Sequence, residues 1–269
     1  MKATVIVDNI GNIYPGEWGL CIYIENNGKN ILLDAGSSNL FIDNAKKLNL
    51  NLQAVDYGVL SHAHYDHANG IPAFLDLNEN AKFYVQRSTA PNCYSRKKIF
   101  RHYIDIPKRL LTDYADRIVY VDGDLKLDKG VYIIPHKTAN LVAIGRREKM
   151  YQKTSRGYVF DDFSHEQSLV IDTDKGLVIF NSCSHGGASN IINEVQNTFK
   201  DKKVYGLVGG FHLFNKTEQE VRDLAHKIKE TNIEYICTGH CTKEAAYNIL
   251  KEELGDKLHQ LHVGLEMNF

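Results

Sequence analysis

The sequence predicts an α/β protein in which two β-sheets pack together and helices cover their outer faces. Short β-rich runs open the chain, and the stretch "SLVIDTDKGLVIFNS" has the pattern of a hairpin. After this hairpin the pattern changes to alternating helices and strands. Strand-rich halves with interleaved helices favour sheets that bury one face on each other and one beneath helices. Because no repeat or linker interrupts the chain, we expect a single domain over residues 1–269.

The individual elements follow from hydrophobic periodicity. The runs "TVIVD", "LCIYIE" and "NILLDAG" predict strands, and apolar residues at helical spacing in "SNLFIDNAKKLNL" predict the first helix. Further strands are predicted at "YGVLS", "KFYVQ" and "GVYIIP". After the hairpin, "NIINEVQNTF", "EVRDLAHKIKE" and "KEAAYNILKEEL" predict helices, with strands at "VYGLVGG" and "EYICTG" between them. Residues 87–157 are the least regular part, and we expect an insertion or lid there.

Composition excludes several classes of protein. An apolar fraction of 43% and a charged fraction of 24% are ordinary for a globular protein. A formal net charge of −1 gives no reason to expect nucleic acid or a membrane surface as a partner. Five scattered cysteines fit a reducing compartment, and the chain opens without a visible secretory signal, so we expect a cytoplasmic protein. Composition indicates no particular oligomeric state.

The stretch "VLSHAHYDHANG" is the strongest functional signal. It follows a predicted strand and places His62, His64, Asp66 and His67 within six residues. Imidazole and carboxylate groups are costly to bury unless something satisfies them, and divalent metals commonly do so. Such a loop can serve two metal ions about 3.5–4 Å apart, which together activate water and polarise a substrate oxygen. The sequence therefore predicts a dinuclear metal site.

The motif "SHAHYDH" resembles the H-x-H-x-D-H signature of the metallo-β-lactamase superfamily. This resemblance implies an αββα sandwich of two mixed β-sheets with outer helices and a dinuclear metal site. The stretches "GEWGLCIYIENNGKNILLDAG", "HEQSLVIDTDKGLVIFNSCSHGG", "VGGFHL" and "TGHCTKEAA" extend the resemblance. They are similar to a subgroup named after 7,8-dihydropterin-6-methyl-4-(β-D-ribofuranosyl)-aminobenzene-5'-phosphate synthase.

The resemblance also implies how ligands divide between the ions. Each ion would have three: His62, His64 and His185 for one, and Asp66, His67 and His240 for the other. Zinc is the first expectation for both divalent ions, and iron and manganese are alternatives, because His/Asp sites accept all three.

Four residues have open roles. Cys183 stands near where the superfamily usually has a bridging Asp, and it is either a ligand or a small buried residue. His165 lies roughly where many members have another ligand, which leaves metal binding and support of the site as alternatives. Asp34 resembles the superfamily's first Asp, which orients the His loop. His212 follows a strand in "GGFHLF" and is either a catalytic proton donor or substrate contact, or a ligand.

The central segment is basic and contains tyrosines. Guanidinium groups hold phosphate or carboxylate through paired hydrogen bonds, so Arg87, Arg146 and Arg147 are candidates for substrate binding. We expect part of this segment to fold over the metals and to bind an anionic small molecule. Nucleic acid is not expected, because the chain lacks a large positive charge.

These observations predict a metal-dependent hydrolase acting on an ester, lactone or phosphoester, with Asp66 and His212 in catalysis. The subgroup's named activity is an alternative: it joins a pterin diphosphate to a ribofuranosyl aminobenzene phosphate and releases pyrophosphate. Two other classes are electron transfer at a di-iron site, which normally needs a flavin domain, and a non-catalytic metabolite sensor.

Overall fold

The computed structural model describes all 269 residues of the chain. The first strands are β1 (Lys2–Val7), β2 (Cys21–Asn26), β3 (Lys29–Leu33), β4 (Tyr57–Val59) and β5 (Lys82–Gln86). The central strands are β6 (Cys93–Lys97), β7 (Phe100–Tyr103), β8 (Ile118–Val121), β9 (Leu125–Asp128), β10 (Val131–Pro135), β11 (Met150–Thr154) and β12 (Gly157–Phe160). The last strands are β13 (Gln167–Thr173), β14 (Gly176–Phe180), β15 (Val204–Val208), β16 (Tyr235–Thr238), β17 (Leu258–Gln260) and β18 (Glu266–Asn268). The helices are α1 (Leu40–Lys47), α2 (Tyr65–Ala68), α3 (Ile71–Leu77), α4 (Leu110–Asp113), α5 (Val142–Glu148), α6 (Ala188–Thr198), α7 (Glu218–Glu230) and α8 (Lys243–Leu254).

Two seven-stranded mixed sheets form the centre of the molecule. The first has the order β18-β1-β2-β3-β4-β5-β8, and the second has the order β17-β16-β15-β14-β13-β10-β9. In each sheet one half is antiparallel and the other half is parallel: β3, β4, β5 and β8 run parallel in the first, and β14 to β17 in the second. The carboxyl ends of these parallel strands supply the loops that form the site described below.

The two sheets pack face to face and helices cover their outer faces. In β2, Ile22 belongs to the core between the sheets, whereas Tyr23 belongs to the core beneath the helices. The same alternation occurs in β14, where Val178 faces the first sheet and Ile179 packs with the helical layer. Strands buried on both faces read as continuous apolar runs, as in "LVIF". The predicted αββα sandwich is confirmed.

The four helices predicted from hydrophobic periodicity form as α1, α6, α7 and α8, whereas α2 to α5 were not predicted in this way. α7 begins at a capping box in which Thr217 and Glu220 satisfy each other's backbone amides, and it buries Val221, Ala225 and Ile228. The longest helix has 13 residues, and no helix is both long and apolar enough to span a membrane.

Residues 87–157, expected to be an irregular insertion or lid, consist of two kinds of structure. β8, β9 and β10 belong to the two main sheets, so this part is no insertion. The remainder includes β6, β7 and β11, which form a third, four-stranded sheet together with β12. The third sheet lacks the apolar alternation that predicts strands, since polar and charged residues dominate "CYSRK" and "MYQKT".

Candidate metal centre

The predicted ligands lie on loops at the carboxyl ends of parallel strands. His62 and His64 follow β4, and Asp66 and His67 lie in the short helix α2 that begins directly after them. His185 follows β14, and His240 follows β16 in the other sheet. Because the ends of parallel strands meet at the same edge of a sheet, loops distant in sequence converge at this edge.

His62, His64 and His185 form one group of imidazole rings. Their ring centroids are 4.6–5.0 Å apart, and all three side chains are buried. The Nε2 atoms of His62 and His64 and both ring nitrogens of His185 are buried without a hydrogen-bond partner. An unsatisfied buried polar group costs about 1–3 kcal/mol, so a partner is expected here.

Asp66, His67 and His240 form a second, tighter group. The Nε2 atoms of His67 and His240 are 3.3 Å apart. Asp66 Oδ2 is 3.4 Å from the Nε2 atom of His240 and 3.7 Å from that of His67. Two imidazole nitrogens at this separation need a cation between them, either a proton or a metal ion.

Asp34 and Ser61 orient the His loop. Asp34 accepts hydrogen bonds from the Ser61 amide and hydroxyl at 2.7 Å and from His67 Nδ1 at 2.8 Å. Because the Ser61 hydroxyl donates to Asp34, its oxygen accepts from His62 Nδ1 at 2.8 Å. Each of these histidines therefore carries its proton on Nδ1 and presents the Nε2 lone pair to the site, as metal-binding histidines do.

Asp8 and Asn9, the residues directly after β1, hold His240, and no sequence pattern predicted a role for either. Asn9 Oδ1 accepts from His240 Nδ1 at 3.1 Å, and Asp8 Oδ2 accepts from the His240 amide at 3.0 Å. The amide of Gly19 donates to Asn9 Oδ1, which fixes the orientation of the Asn9 side chain. The Nε2 atom of His240 therefore also faces the site.

A buried ion-pair cluster supports the loop that carries His185. Glu166 accepts hydrogen bonds from the amides of His185 and Gly186 at 3.0 and 3.2 Å. His136 bonds Glu166 through Nε2 and Glu194 through Nδ1, the latter at 3.2 Å. Neither Glu166 nor His136 was predicted to have a role in the site, because their partners are distant in sequence.

Burial and neighbouring charges keep most of these ligands in the state that binds metal. Burial, reinforced by neighbouring histidines, holds the pKa values of His62 and His185 well below the ordinary value. Burial and His165 lower the pKa of His64 to about 3. Burial opposes ionisation of Asp66, but His67 and His240 hold its pKa below the ordinary value.

His240 is the exception. Burial lowers its pKa, but Cys241 and Asp66 outweigh this effect and raise it to about 9. A metal ion at this position would therefore displace a proton from His240.

The remaining predicted residues take different positions. His165 Nδ1 accepts from the amide of Ala63 at 3.1 Å, and Nε2 donates to Asp161 at 3.3 Å, so both ring nitrogens are used. His165 therefore braces the His loop, and it also lies in a group with His64, Cys93 and Asp161 whose donor atoms are within 4.8 Å of one another. His212 is buried next to His185, with ring centroids 4.3 Å apart, and neither of its nitrogens has a partner. Cys183 Sγ lies 3.4 Å from His67 Nε2.

The loops that carry these residues have an unusual backbone. Asp34, Ser184, His212 and His240 have φ angles of 47–58°, in the left-handed region that non-glycine residues rarely adopt. Such conformations persist where surrounding contacts hold them, and they are concentrated at functional sites.

The candidate metal centre opens into a cavity of about 520 Å³. Trp18, Tyr65 and Phe214 provide aromatic walls, and Arg96, Lys97 and Lys243 provide positive charge. Arg96 and Lys97 belong to β6, so the third sheet forms part of the wall. The cavity thus combines metal ligands, aromatic rings and cations.

None of the three arginines predicted to bind substrate lines this cavity. Arg87 pairs with Asp122 at the exposed end of β5, and Arg146 lies over the ring of Phe160. Arg147 lines a smaller neighbouring cavity of about 270 Å³ and pairs with Glu148 and Glu220. Basic composition identified the segment, but which of its side chains face the metals depends on the pairing of the third sheet.

The donor set fits bound metal ions. Bond lengths of about 2.0–2.3 Å at a tetrahedral zinc ion place its donor atoms about 3.3–3.8 Å from one another. Asp66, His67, His240 and Cys183 have neighbouring donor atoms separated by 3.3, 3.4, 3.4 and 3.7 Å. Donor atoms of His62, His185 and Cys183 lie within 4.8 Å of one another.

This fold and this His/Asp cluster define the class of protein. The family model of the metallo-beta-lactamase superfamily matches residues 18–149, which include the complete H-x-H-x-D-H motif. Residues 18–149 therefore match the metallo-β-lactamase superfamily, and the chain shares the fold of a solved member of that superfamily.

The chain is similar in sequence to one named enzyme and in structure to two solved proteins. The chain is 27% identical over 259 residues to the 7,8-dihydropterin-6-methyl-4-(beta-D-ribofuranosyl)-aminobenzene-5'-phosphate synthase of Methanocaldococcus jannaschii, covering 92% of this chain and 88% of the relative. It is also similar to the crystal structure of Tm1679, a metal-dependent hydrolase of the beta-lactamase superfamily. That similarity has a TM-score of 0.84 and 26% identity, and covers 100% of this chain and 99% of the other. The metallo-beta-lactamase fold protein YhfI from Bacillus subtilis shares the fold, with a TM-score of 0.60 and 13% identity over 99% and 98% of the two chains.

Proposed function

We propose that this protein is a metal-dependent hydrolase that cleaves an ester or phosphoester bond in a small anionic molecule. The observation that carries the proposal is the position of the two donor groups beside a cavity that also contains cationic and aromatic side chains. His62, His64 and His185 would hold one divalent ion, and Asp66, His67 and His240 the other. Bound there, such ions would lower the pKa of water and stabilise negative charge developing on a substrate oxygen.

The chain's own residues would bind and orient the substrate. Arg96, Lys97 and Lys243 would attract an anionic group such as a phosphate. Lys243 Nζ lies 4.1 Å from the centroid of the Trp18 ring, so its charge is held beside an aromatic face. A substrate with an apolar ring and an anionic end could contact the aromatic side chains with its ring and the cations with its anionic end.

His212 would act as the proton donor to the leaving group. It lines the cavity, and both of its ring nitrogens lack a protein partner. The carboxylate of Glu148 is 3.8 Å from His212 Nε2 and pairs with Lys216. Glu148 would thus orient the imidazole.

A synthase function is the second candidate, because the relative from Methanocaldococcus jannaschii that covers most of this chain has a synthase name. In that reaction the pterin of a pterin diphosphate would be joined to a ribofuranosyl aminobenzene phosphate, and the bond to pyrophosphate would break as the new bond forms, so that free pyrophosphate leaves. The aromatic walls would suit the pterin ring, and the cations would suit phosphate groups. The metal ligands do not separate the two chemistries, since both need stabilised oxygen charge.

Metal analysis followed by a substrate panel tests the proposal. Protein purified without added metal should contain about two zinc, iron or manganese ions per chain. Asp66→Ala should lose metal and turnover together, whereas Asp43→Ala, on the exposed face of α1, should change neither. Turnover of esters or phosphoesters supports hydrolysis, and release of pyrophosphate only when both synthase substrates are present supports the alternative. Fully metallated protein that is inactive in both assays would contradict both functions.

A further inference from the structure

Cys183 occupies a position shared by the two donor groups. Its sulfur lies within 4.8 Å of donor atoms of His62 and His185, and it forms a similar group with His67 and His240. The distance from Cys183 Sγ to His67 Nε2 is 3.4 Å, which matches the spacing of two donors on one tetrahedral ion. The side chain is only 3% exposed and forms no disulfide.

The loop around Cys183 holds the sulfur in this place. The amide of Ser184 donates to Asn181 Oδ1 at 2.7 Å, and the carbonyl of Ser182 accepts from the amide of Gly210 at 2.8 Å. Cys183 therefore lies between two fixed residues at the end of β14. Its position does not depend on a flexible side chain, since cysteine has one side-chain torsion angle.

We infer that the thiolate of Cys183 bridges the two metal ions. This inference rests on the proposed function, because it assumes that both ions are bound. Among the six other ligands only Asp66 is anionic, so two divalent ions would leave a large uncompensated positive charge in a buried site. A bridging thiolate offsets part of this charge, and the Cys183 sulfur lies within 4.8 Å of donor atoms in both groups.

A sulfur bridge has a consequence for the choice of metal. Thiolate is a soft ligand that selects zinc or iron, whereas manganese and magnesium prefer oxygen donors. The centre is therefore selective for zinc or iron, even though its histidines and Asp66 accept manganese as well.

Cys241 is the neighbouring thiol and has a different role. Its sulfur lies 3.3 Å from Cys183 Sγ and accepts the amide of His212 at 3.2 Å. Its sulfur lies within 4.8 Å of donor atoms of Cys183 and His212. It belongs neither to the group that Cys183 forms with His62 and His185 nor to the one that it forms with His67 and His240. A Cβ at Gly210 would lie 2.5 Å from the Cys241 sulfur, so the glycine leaves room for it. Cys241 packs beside the bridge and does not form it.

Cobalt substitution of the full chain tests the bridge without depending on activity. The metal-free protein is titrated with Co²⁺, and thiolate-to-cobalt charge-transfer absorption is followed together with cobalt bound per chain. The wild-type protein should bind about two cobalt ions and show the absorption. Cys183→Ser should lose it and should bind the second ion at least ~10–100-fold more weakly, the loss usual even for outer-shell partners. Cys183→Asp should bind two ions without the absorption.

Two controls separate Cys183 from the other thiols. Cys237→Ala, in the core between the sheets, and Cys241→Ser should both keep the charge-transfer absorption. X-ray absorption of the two-zinc wild-type protein needs no variant. It should show about one sulfur neighbour per zinc for a bridge, against about half for a terminal ligand.

The outcomes distinguish this inference from the proposed function. Wild-type protein that binds two cobalt ions without charge-transfer absorption overturns the bridge and leaves the hydrolase proposal intact. The same conclusion follows if the absorption survives in Cys183→Ser or disappears in Cys241→Ser. Protein that binds no metal at all contradicts the proposed function itself.

Discussion

The buried His136 predicts a specific loss of stability at alkaline pH. Burial alone would lower its pKa, but Glu166 and Glu194 outweigh burial and raise the pKa from 6.5 to about 10. A raised pKa means that the folded state binds the proton more tightly than the unfolded chain does. Its contribution to stability is therefore complete below about pH 6.5 and is lost as the pH rises towards 10.

The magnitude follows from the size of this shift. The pKa difference of about 3.5 units between 10 and 6.5 corresponds to about 5 kcal/mol at roughly 1.36 kcal/mol per unit. Urea unfolding of chelator-treated protein at pH 6 and pH 10 should therefore show a larger decrease for wild type than for His136→Gln. The variant has no imidazole to titrate, so its unfolding free energy should lack this component.

A control variant accounts for other groups that titrate in the same range. His102 is exposed on β7, and His102→Gln should show the same pH dependence as the wild type. If His136→Gln loses as much stability between pH 6 and pH 10 as the wild type does, the protonated His136 cluster is refuted.

The other predictions concern the metal ligands, the cavity and the support of the site. Asp34→Ala should weaken metal binding by about 10–100-fold, measured by competition with a chromogenic chelator, because two metal-site histidines depend on its hydrogen bonds. Arg96→Ala should raise KM for an anionic substrate by about 10-fold with little change in kcat, because it removes a charged contact. Gly186→Ala should lower Tm, since its Cβ would lie 2.7 Å from His136 Nε2. Removing the metals with a chelator should also lower Tm, since bound ions stabilise the folded state.

Each of these four tests has a control variant or an outcome that would contradict it. Arg87→Ala removes a cation outside the cavity and should leave KM unchanged, so an equal effect of both arginines would contradict the assignment of the cavity. Asp43→Ala is the corresponding control for Asp34. A Gly186→Ala protein as stable as the wild type would show that His136 can move without cost. A chelator that leaves Tm unchanged would mean that the site contributes nothing to folding.

Local sequence patterns predicted most of the fold and identified most of the side chains that come together at the candidate site. The strands "CIYIE" and "LVIF" are continuous apolar runs, and the His motif lies within six residues, so neither depends on distant partners. The hydrogen bonds of Asn9, Glu166 and His136 connect residues far apart in sequence, and no local pattern predicts them. Glu166 is adjacent to His165 and directly precedes β13, which was the one available signal for a buried acid.

For the basic central segment, the sequence did not predict which side chains line the cavity. Its composition indicated an anion-binding surface, yet Arg87 and Arg146 lie elsewhere, and Arg96 and Lys97 line the cavity. Arg87 follows β5, and Arg146 and Arg147 lie in α5, whereas Arg96 and Lys97 belong to β6, whose pairing and register in the third sheet place them at the cavity. The polar strands of the third sheet provide no apolar pattern that would fix that register in advance.

The donor loops come from both sheets, so bound metal ions would also link the sheets mechanically. His62, His64, Asp66 and His67 belong to the first sheet, whereas His185 and His240 belong to the second. Ions held by both sets would join the two halves of the sandwich at one rim and close a loop of more than a hundred residues. Such a cross-link removes conformational freedom from the unfolded chain. Metal occupancy would then determine how far the rim of the sandwich can open, in addition to the chemistry at its centre.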